Sequence, residues 1–208
     1  MRSNSRRPRS GADELPDLLP RLLAGDEATF TRVVTRWHPG LLRLATAITG
    51  NPSIGEEVVQ DAWASALRSL HTFEGRASLR TWVHRICAHL ALARTRQEGR
   101  SPLAADPAVL DLGSFDEARA WRAPPERWLD ETPETVAARR EVLACIERTL
   151  VGLPLRQRAV ITLRDVQGFS AEEASEILGI SDVHQRVLLH RARSRVRAAC
   201  DHYYRELR

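Results

Sequence analysis

The stretch SAEEASEILGISDVHQRVLLHRARSRVRAAC, residues 170–200, decides how the C-terminal part of this chain folds. Ser170 with Glu173 forms the capping-box pattern that begins a helix. Gly179 is typical of the residue that ends one. A second, longer helix is predicted to start near Asp182. A short helix, a tight turn and a longer helix form the helix-turn-helix pattern, whose second helix lies in the major groove of DNA.

Arginine dominates the second helix, and no acidic residue occurs between Val183 and Cys200. A face that is merely solvated usually mixes both signs of charge, so this pattern favours DNA binding. Early residues of such a helix reach base edges, and we expect this of His184, Arg186, Val187 and His190. Phosphate contacts, which position the protein without reading sequence, are expected of Arg191, Arg193, Arg195 and Arg197.

The helical wheel places Gln185 in the apolar arc formed by residues such as Leu188 and Leu189. A buried amide without a partner costs roughly 1–3 kcal/mol. We therefore expect either that Gln185 finds a partner or that the helix is rotated from this wheel.

Helical patterns also dominate the rest of the chain, and strand patterns are nearly absent, which predicts an all-α fold of two small helical domains. The expected divisions are a basic tail and short helix (1–25), a four-helix module (26–97), a flexible linker (98–132) and a second helical module (133–208). The predicted helices are Leu15–Ala24, Glu27–Thr49 with a kink or break at Pro39, a helix capped by Ser53 with Glu56, Leu79–Arg96 with Ser78 as cap, one starting at Thr132-Pro133 and ending near Val151, Leu155–Val166, Ala171–Leu178 and the helix from Asp182. We expect the two modules to fold separately, each around its own apolar faces.

Composition excludes several classes of protein. The 208 residues are 43% hydrophobic and 28% charged, with a net charge of +4 that comes from arginine alone, without lysine. No apolar run approaches the roughly 18 residues of a membrane span. The basic N-terminus lacks the apolar stretch of a secretory signal, and three widely spaced cysteines do not form a disulfide framework. We expect a cytoplasmic protein that inserts in no membrane.

Two helices of the first module have uneven charge. One predicted helix, from Ile54 to Leu70, collects acidic and amide side chains opposite its apolar arc: Glu56, Glu57, Gln60 and Asp61. The next leaves Arg80, His84, Arg85, Thr95 and Arg96 exposed, a face without acid that suits a DNA backbone. Since zinc needs about four ligands, His84 and Cys87 alone do not predict a metal site. No catalytic motif is present, so we expect neither an enzyme nor a cofactor.

In order and separation, six fragments resemble the extracytoplasmic-function (ECF) sigma factors of bacterial RNA polymerase. They are Gly55-Glu-Glu-Val-Val-Gln-Asp61, Phe73-Glu-Gly-Arg76, Leu79-Arg-Thr-Trp-Val83, Leu153-Pro-Leu-Arg-Gln-Arg158, Leu163-Arg-Asp-Val-Gln-Gly168 and Leu189-His-Arg-Ala-Arg193. Together they cover roughly residues 26–97 and 133–205, which would correspond to sigma regions 2 and 4.

The resemblance implies roles for particular residues. Glu57, Gln60 and Asp61 would bind core RNA polymerase at the β′ clamp helices, and the second module would meet the β flap. The loop and helix that follow the acidic helix would capture and melt the minus-10 promoter element. The residues implied in this role are Phe73, Arg76, Arg80, His84, Arg85 and Arg96. The helix-turn-helix would read the minus-35 element, and the acidic linker would run along the polymerase. The family also implies an anti-sigma factor as a regulatory partner.

The chain departs from the family pattern in two places. His89 and Ala93 stand where the family often has Asn and Asp, and Val183-His184-Gln185 replaces a frequent Gly-Thr-Val run. Two alternative functions remain. One is a helix-turn-helix regulator that does not bind core polymerase, which would leave the Glu57, Gln60 and Asp61 face unexplained; the other is a zinc-dependent enzyme using His84 and Cys87.

Overall fold

The computed structural model describes residues 18–97 and 133–206, and every regular element in these ranges is helical. The helices are α1 (Leu18–Leu23), α2 (Glu27–Thr49), α3 (Pro52–Ser69), α4 (Leu79–Gln97), α5 (Pro133–Gly152), α6 (Leu155–Ile161), α7 (Ala171–Leu178) and α8 (Asp182–Glu206), with a 3-10 turn at Leu70–Thr72 and a π-helical turn at Thr162–Val166. The all-α fold class is confirmed. The predicted linker lies outside the described residues, as do the basic tail and the first three residues of the predicted helix Leu15–Ala24.

Capping explains where α2, α3 and α4 begin. Asp26 accepts hydrogen bonds from the backbone N–H groups of residues 28 and 29 at the start of α2. The predicted cap Ser53 is wrong for α3, since Asn51 Oδ1 accepts from the N–H groups of Ser53 and Ile54. Pro52 then takes the first helical position, where its missing N–H costs nothing. Ser78 Oγ accepts from Thr81 N at 3.0 Å and caps α4, as predicted.

Helix α2 runs through Pro39 without the predicted break. A proline inside a helix costs about 3 kcal/mol. Trp37, Leu41 and Leu44, on both sides of it, are buried in one core. Burying each such side chain contributes roughly 1.5–3 kcal/mol, so packing outweighs the local cost.

Helices α1–α4 form the N-terminal module, in which α2, α3 and α4 pack against one another. Its core includes Leu41, Leu44, Ile48, Val59 and Cys87, each at most 2% exposed. The apolar arc predicted for α3 faces this core, although Leu67 at its edge stays 50% exposed.

Helices α5–α8 form the C-terminal module. The Ser170–Glu173 capping box is present in both directions, and Gly179 ends α7 in the left-handed conformation at φ 62°. Leu188, Leu189 and Ala192 of α8 pack with Leu153 and Val160 in a core of this module. The predicted helix Leu155–Val166 is split, because its last turn is π-helical.

The two modules also share one buried cluster. Five apolar residues of the C-terminal module belong to the same buried cluster as the N-terminal core: Ala159, Leu163, Phe169, Ala174 and Ile177. Helix α4 packs on α7, and α2 packs on α6. The expectation that each module packs around its own apolar faces is therefore corrected in part: the C-terminal module has a cluster of its own, but it also shares a buried cluster with the N-terminal module. That each module folds on its own stays a prediction.

Candidate functional site

The acidic face of α3 consists of Glu57, Gln60 and Asp61, and all three side chains are exposed. Residues three and four positions apart lie on one side of a helix, so the three point the same way. Arg94 of α4 approaches from the side, with its Nη2 2.6 Å from Glu57 Oε2. Both partners are about half exposed, and such surface pairs contribute only about 0–1 kcal/mol. The three side chains therefore form a polar, solvent-accessible face on α3.

The loop before α4 packs on that helix at Phe73 and is exposed to solvent at Arg76. Phe73 packs on the ring of Trp82, with 5.3 Å between ring centroids, and both are half-buried. Arg76 is exposed and pairs with Glu74 within the loop. Arg96, near the end of α4, is also exposed.

His84 was expected to be exposed and is in fact 1% exposed; Thr95, also expected outside, is fully buried. Thr95 Oγ1 bonds the Ala91 carbonyl in its own helix, which satisfies its hydroxyl. His84 is covered because the C-terminal module packs on that face of α4. Its ring lies 4.8 Å from the ring of Phe169, measured between centroids.

Four side chains of α4 contact the C-terminal module. The Arg80 guanidinium lies 4.1 Å from the centroid of the Phe169 ring and donates to the Gln167 carbonyl at 3.0 Å. Thr81 Oγ1 donates to Glu173 Oε1 at 3.1 Å, and Arg85 pairs with Glu176 at 3.2 Å. The Gln167 side chain completes the contact by approaching His84.

The Gln167 amide bridges two helices of the N-terminal module. Its Nε2 donates to the Gly40 carbonyl at 2.9 Å, and its Oε1 lies 3.1 Å from His84 Nε2. The other ring nitrogen, Nδ1, lies 2.8 Å from the Arg80 carbonyl oxygen. Gln167 follows the predicted helix Leu155–Val166, and the sequence pattern predicted no contact for its side chain. The adjacent Gly168 was the one local sign of a turn at this point.

Burial lowers the pKa of His84 to about 4; the nearby Arg80 charge acts in the same direction, and the oxygens of Arg80 and Gln167 act in the opposite direction. The ring is therefore neutral at neutral pH. A neutral imidazole has one N–H, so only one of its two nitrogens donates to the oxygen that it faces.

On α8, the candidate base-reading residues lie in the first turns. Arg186 is exposed, whereas Val187, His190 and His184 are half-buried. Burial lowers the pKa of His184, and the Arg156 and Arg191 charges reinforce that shift.

The candidate phosphate-binding arginines follow on the same helix. Arg193 forms a two-point contact with Asp165, at 2.8 and 2.6 Å, which raises the pKa of its guanidinium. Arg195 donates to Gln157 Oε1 at 2.7 Å. Arg197 is exposed and Arg191 half-buried. Two of the four arginines therefore contact helix α6 or the turn after it.

Gln185 is buried at 1% exposure, and its Nε2 has no hydrogen-bond partner. The neighbouring residues Leu188, Leu189 and Ala192 are buried as the wheel predicted. The sequence analysis expected either a hydrogen-bond partner for the Gln185 amide or a rotated helix. Neither is found, because α8 has the predicted orientation and Nε2 is unpaired.

The pair His84 and Cys87 does not gather further metal ligands. Cys87 Sγ donates to the Leu41 carbonyl, and burial raises the thiol pKa to about 12. Across residues 18–97 and 133–206, no group of three or more His, Cys, Asp or Glu side chains could hold a metal ion. In the same ranges, no helix is both long enough and apolar enough to cross a membrane.

Comparisons with known proteins match each module separately. Residues 33–101 match the model of sigma-70 region 2, and residues 143–196 match that of sigma-70 region 4. The ECF RNA polymerase sigma-E factor of Escherichia coli K12 is 27% identical over 187 residues, 89% of this chain and 94% of that protein. The RNA polymerase sigma-H factor of Pseudomonas aeruginosa is 27% identical over 189 residues, 91% and 95% of the two chains.

Two solved structures share the fold. CnrH in complex with the cytosolic domain of CnrY superimposes with a TM-score of 0.56 at 24% identity, over 88% of this chain and 95% of that one. The sigma factor RpoE of Bartonella quintana, solved with the anti-sigma factor NepR, superimposes with a TM-score of 0.56 at 24% identity. The match covers 83% of this chain and 96% of that one. With regions 2 and 4 matched in order and relatives aligned along nearly their whole length, this chain belongs to the ECF subfamily of sigma-70 RNA polymerase sigma factors.

Proposed function

We propose that this alternative sigma factor binds core RNA polymerase through the acidic face of α3, Glu57, Gln60 and Asp61. The observation that carries the proposal is that these three side chains are exposed together on one helix of the matched region 2. In that position they can meet a basic helical surface such as the β′ clamp helices. Complementary charge of this kind guides association and rejects wrong partners.

Promoter recognition is assigned to two further surfaces. The minus-10 strand meets the loop and α4, through Phe73, Arg76, Arg80, His84, Arg85 and Arg96. The minus-35 duplex meets α8, where His184, Arg186, Val187 and His190 read bases and Arg191, Arg193, Arg195 and Arg197 contact phosphates. Support comes from the order of the helix-turn-helix, the exposed Arg186 and the absence of acidic residues over most of α8. Guanidinium groups suit both tasks, because they bind phosphate and guanine edges with two parallel hydrogen bonds.

The remaining assignments follow from these partners. The protein works in the cytoplasm beside the polymerase, binds promoter DNA and core polymerase, including the β flap, and catalyses no reaction of its own. An anti-sigma factor is a fitting regulator, since the sigma factor RpoE of Bartonella quintana, which shares the fold, is solved with the anti-sigma factor NepR. The linker 98–132, rich in acidic residues, is assigned to the path along the polymerase.

In vitro transcription with purified core polymerase on a genomic promoter library tests the function directly. We expect transcripts that start at a defined set of promoters only when this chain is added. The Asp61→Arg variant, purified in the same way and added at the same concentration, serves as the matched control. DNA binding without core association or transcription would instead favour the helix-turn-helix regulator.

A further inference from the structure

Two half-buried cysteines lie close together in the C-terminal module, outside the residues assigned above to polymerase and DNA. Cys145 lies on α5 and Cys200 near the end of α8, and both are free thiols. Cys145 Sγ lies 3.8 Å from the Ala199 carbonyl oxygen. That oxygen belongs to the peptide group that joins Ala199 to Cys200. The Cys145 sulfur therefore lies beside the backbone from which the Cys200 side chain branches.

The register of α5 on α8 explains why these two side chains meet. One turn before Cys145, Glu141 Oε2 accepts a hydrogen bond from the Tyr203 hydroxyl of α8. Contacts of 141 with 203 and of 145 with 199 mean that the two helices run antiparallel. Residues three or four positions apart share one side of a helix, so Cys145 shares the side of Glu141 and Cys200 that of Tyr203. Each cysteine therefore faces the opposite helix.

The acidity of Cys200 also reflects its neighbour. Burial raises the pKa of the Cys200 thiol, and the charges of Cys145 and Asp201 act in the same direction. A thiol that keeps its proton reacts slowly, because the thiolate is the nucleophile. The pair is therefore suited to sustained exposure to an oxidant and not to rapid turnover.

The third cysteine, Cys87, has a different environment. It is fully buried in the N-terminal module, where its Sγ donates to the Leu41 carbonyl. Burial raises its thiol pKa to about 12. A buried thiol of this kind is inert, so Cys87 provides an internal comparison for the other two.

We propose that Cys145 and Cys200 are a redox pair, which a peroxide joins into a disulfide that fastens α5 to the end of α8. The first thiolate attacks a peroxide oxygen and breaks the O–O bond, which leaves a sulfenic acid and hydroxide. The second thiolate attacks the sulfenic sulfur, forms the S–S bond and releases a second hydroxide. The two thiol protons convert both hydroxides to water. The two sulfurs lose two electrons, and the two peroxide oxygens gain them.

The bond closes a covalent loop from 145 to 200 that contains α6, α7 and most of α8. A cross-link of this kind stabilises a fold mainly because it restricts the unfolded chain. Disulfides are rare in the cytoplasm and those that form there are usually transient and redox-sensing. The pair thus stabilises the helix-turn-helix unit for as long as the oxidant is present. This inference holds whichever residues contact DNA.

The test treats the purified full chain with hydrogen peroxide, removes the excess with catalase, and maps its peptides by mass spectrometry without reduction. We expect a peptide pair linked through Cys145 and Cys200, with two of the three thiols lost. The melting temperature should rise by about 5 °C or more. Dithiothreitol should restore both thiols and the original melting temperature.

Three variants provide the matched controls. Cys145→Ser and Cys200→Ser preserve side-chain size but remove one partner each, so peroxide should produce neither the linked peptides nor the rise in melting temperature. Cys87→Ala removes the inert thiol and should respond to peroxide as the parent does.

The proposal is overturned if the oxidised parent contains no link between Cys145 and Cys200, whether its thiols stay free, join different chains or become sulfinic acids. It is equally overturned if the bond forms and the melting temperature does not rise. A rise that persists in either serine variant would show that the stabilisation comes from another oxidation and would also refute it.

Discussion

At the scale of single residues, Asp61 offers the sharpest test of polymerase binding. Asp61→Arg inverts one charge on the exposed acidic face, so like charges would meet across a contact with a basic surface. We expect co-purification with core polymerase to fall at least tenfold while the melting temperature is unchanged. Glu147→Arg makes the same change of charge on α5 and should leave core binding intact. Equal retention of Asp61→Arg and the parent on core would remove the acidic face from the contact.

Gln185 is a residue at which the fold sacrifices stability. Its Nε2 is buried and unpaired, and an unsatisfied buried group costs about 1–3 kcal/mol. Gln185→Met keeps a similar volume without the amide and should raise the free energy of unfolding by about 1 kcal/mol. Urea titration measures the difference. A lower stability in the variant would show that the amide contributes through a partner of its oxygen.

His84 gives the protein a pH dependence of known sign. Its folded-state pKa, about 4, lies below the ordinary value of 6.5, so the unfolded chain binds a proton first as the pH falls. The contribution of the neutral His84 ring to the free energy of unfolding is fully present above pH 6.5 and is lost as the pH falls towards 4. Between pH 7.5 and pH 5 the free energy of unfolding should fall by about 2 kcal/mol on account of this group.

The control for that titration is His84→Gln, which keeps hydrogen-bonding groups but does not titrate in this range. His89 and His184 also have lowered pKa values, but they are present in both chains. Arg80, Arg85, Glu173 and Glu176, the charged groups at the contact, are likewise common to both. The difference between the two pH profiles therefore isolates His84, and parallel profiles would contradict the prediction.

At the scale of an element, α8 should divide into two functional parts. Arg193→Ala and Arg195→Ala should weaken binding to all minus-35 duplexes alike and reduce the salt slope by about one for each lost phosphate contact. Arg186→Ala and His184→Ala should instead change the preferred base, at roughly 1–3 kcal/mol for each lost base contact. Salt titrations against several duplex variants measure both effects. If both pairs of variants change binding in the same way, the division of the helix is wrong.

The structure adds a further prediction about DNA binding by Arg193 and Arg195. Arg193 contacts Asp165, and Arg195 contacts Gln157, so DNA phosphates compete with these intramolecular partners. Asp165→Asn removes the charged competitor while leaving α8 unchanged. It should strengthen binding through Arg193, an effect that the Arg193→Ala variant abolishes.

At the scale of the whole molecule, the shared core changes what proteolysis should produce. We expect limited digestion to cut first between Gln97 and Thr132, where proline and glycine interrupt every helical pattern. Because Leu163, Phe169 and Ile177 are buried in a cluster with the N-terminal core, the two fragments should remain together on gel filtration. Low concentrations of urea should separate them before either module unfolds. Immediate separation of the fragments in buffer would show that the contact contributes little.

The sequence by itself determined the helices, the helix-turn-helix and the family. Caps such as Ser78 and the Ser170–Glu173 pair act within a few residues, and apolar periodicity records which face of a helix is buried. Gly179 ends α7 for a local reason too, since φ of 62° favours glycine. The acidic face of α3 could also be predicted, because exposed side chains on one helix need no tertiary contact to lie together.

Only the tertiary structure decided how the two modules meet. His84 and Gln167 are 83 positions apart, and nothing in the local pattern of either pairs an imidazole with that amide. The exposure of α4 was predicted from one helix considered alone, whereas its burial depends on a second surface of complementary shape and charge. The continuity of α2 through Pro39 has a related reason: the local cost of the proline is outweighed by the burial of the apolar residues around it.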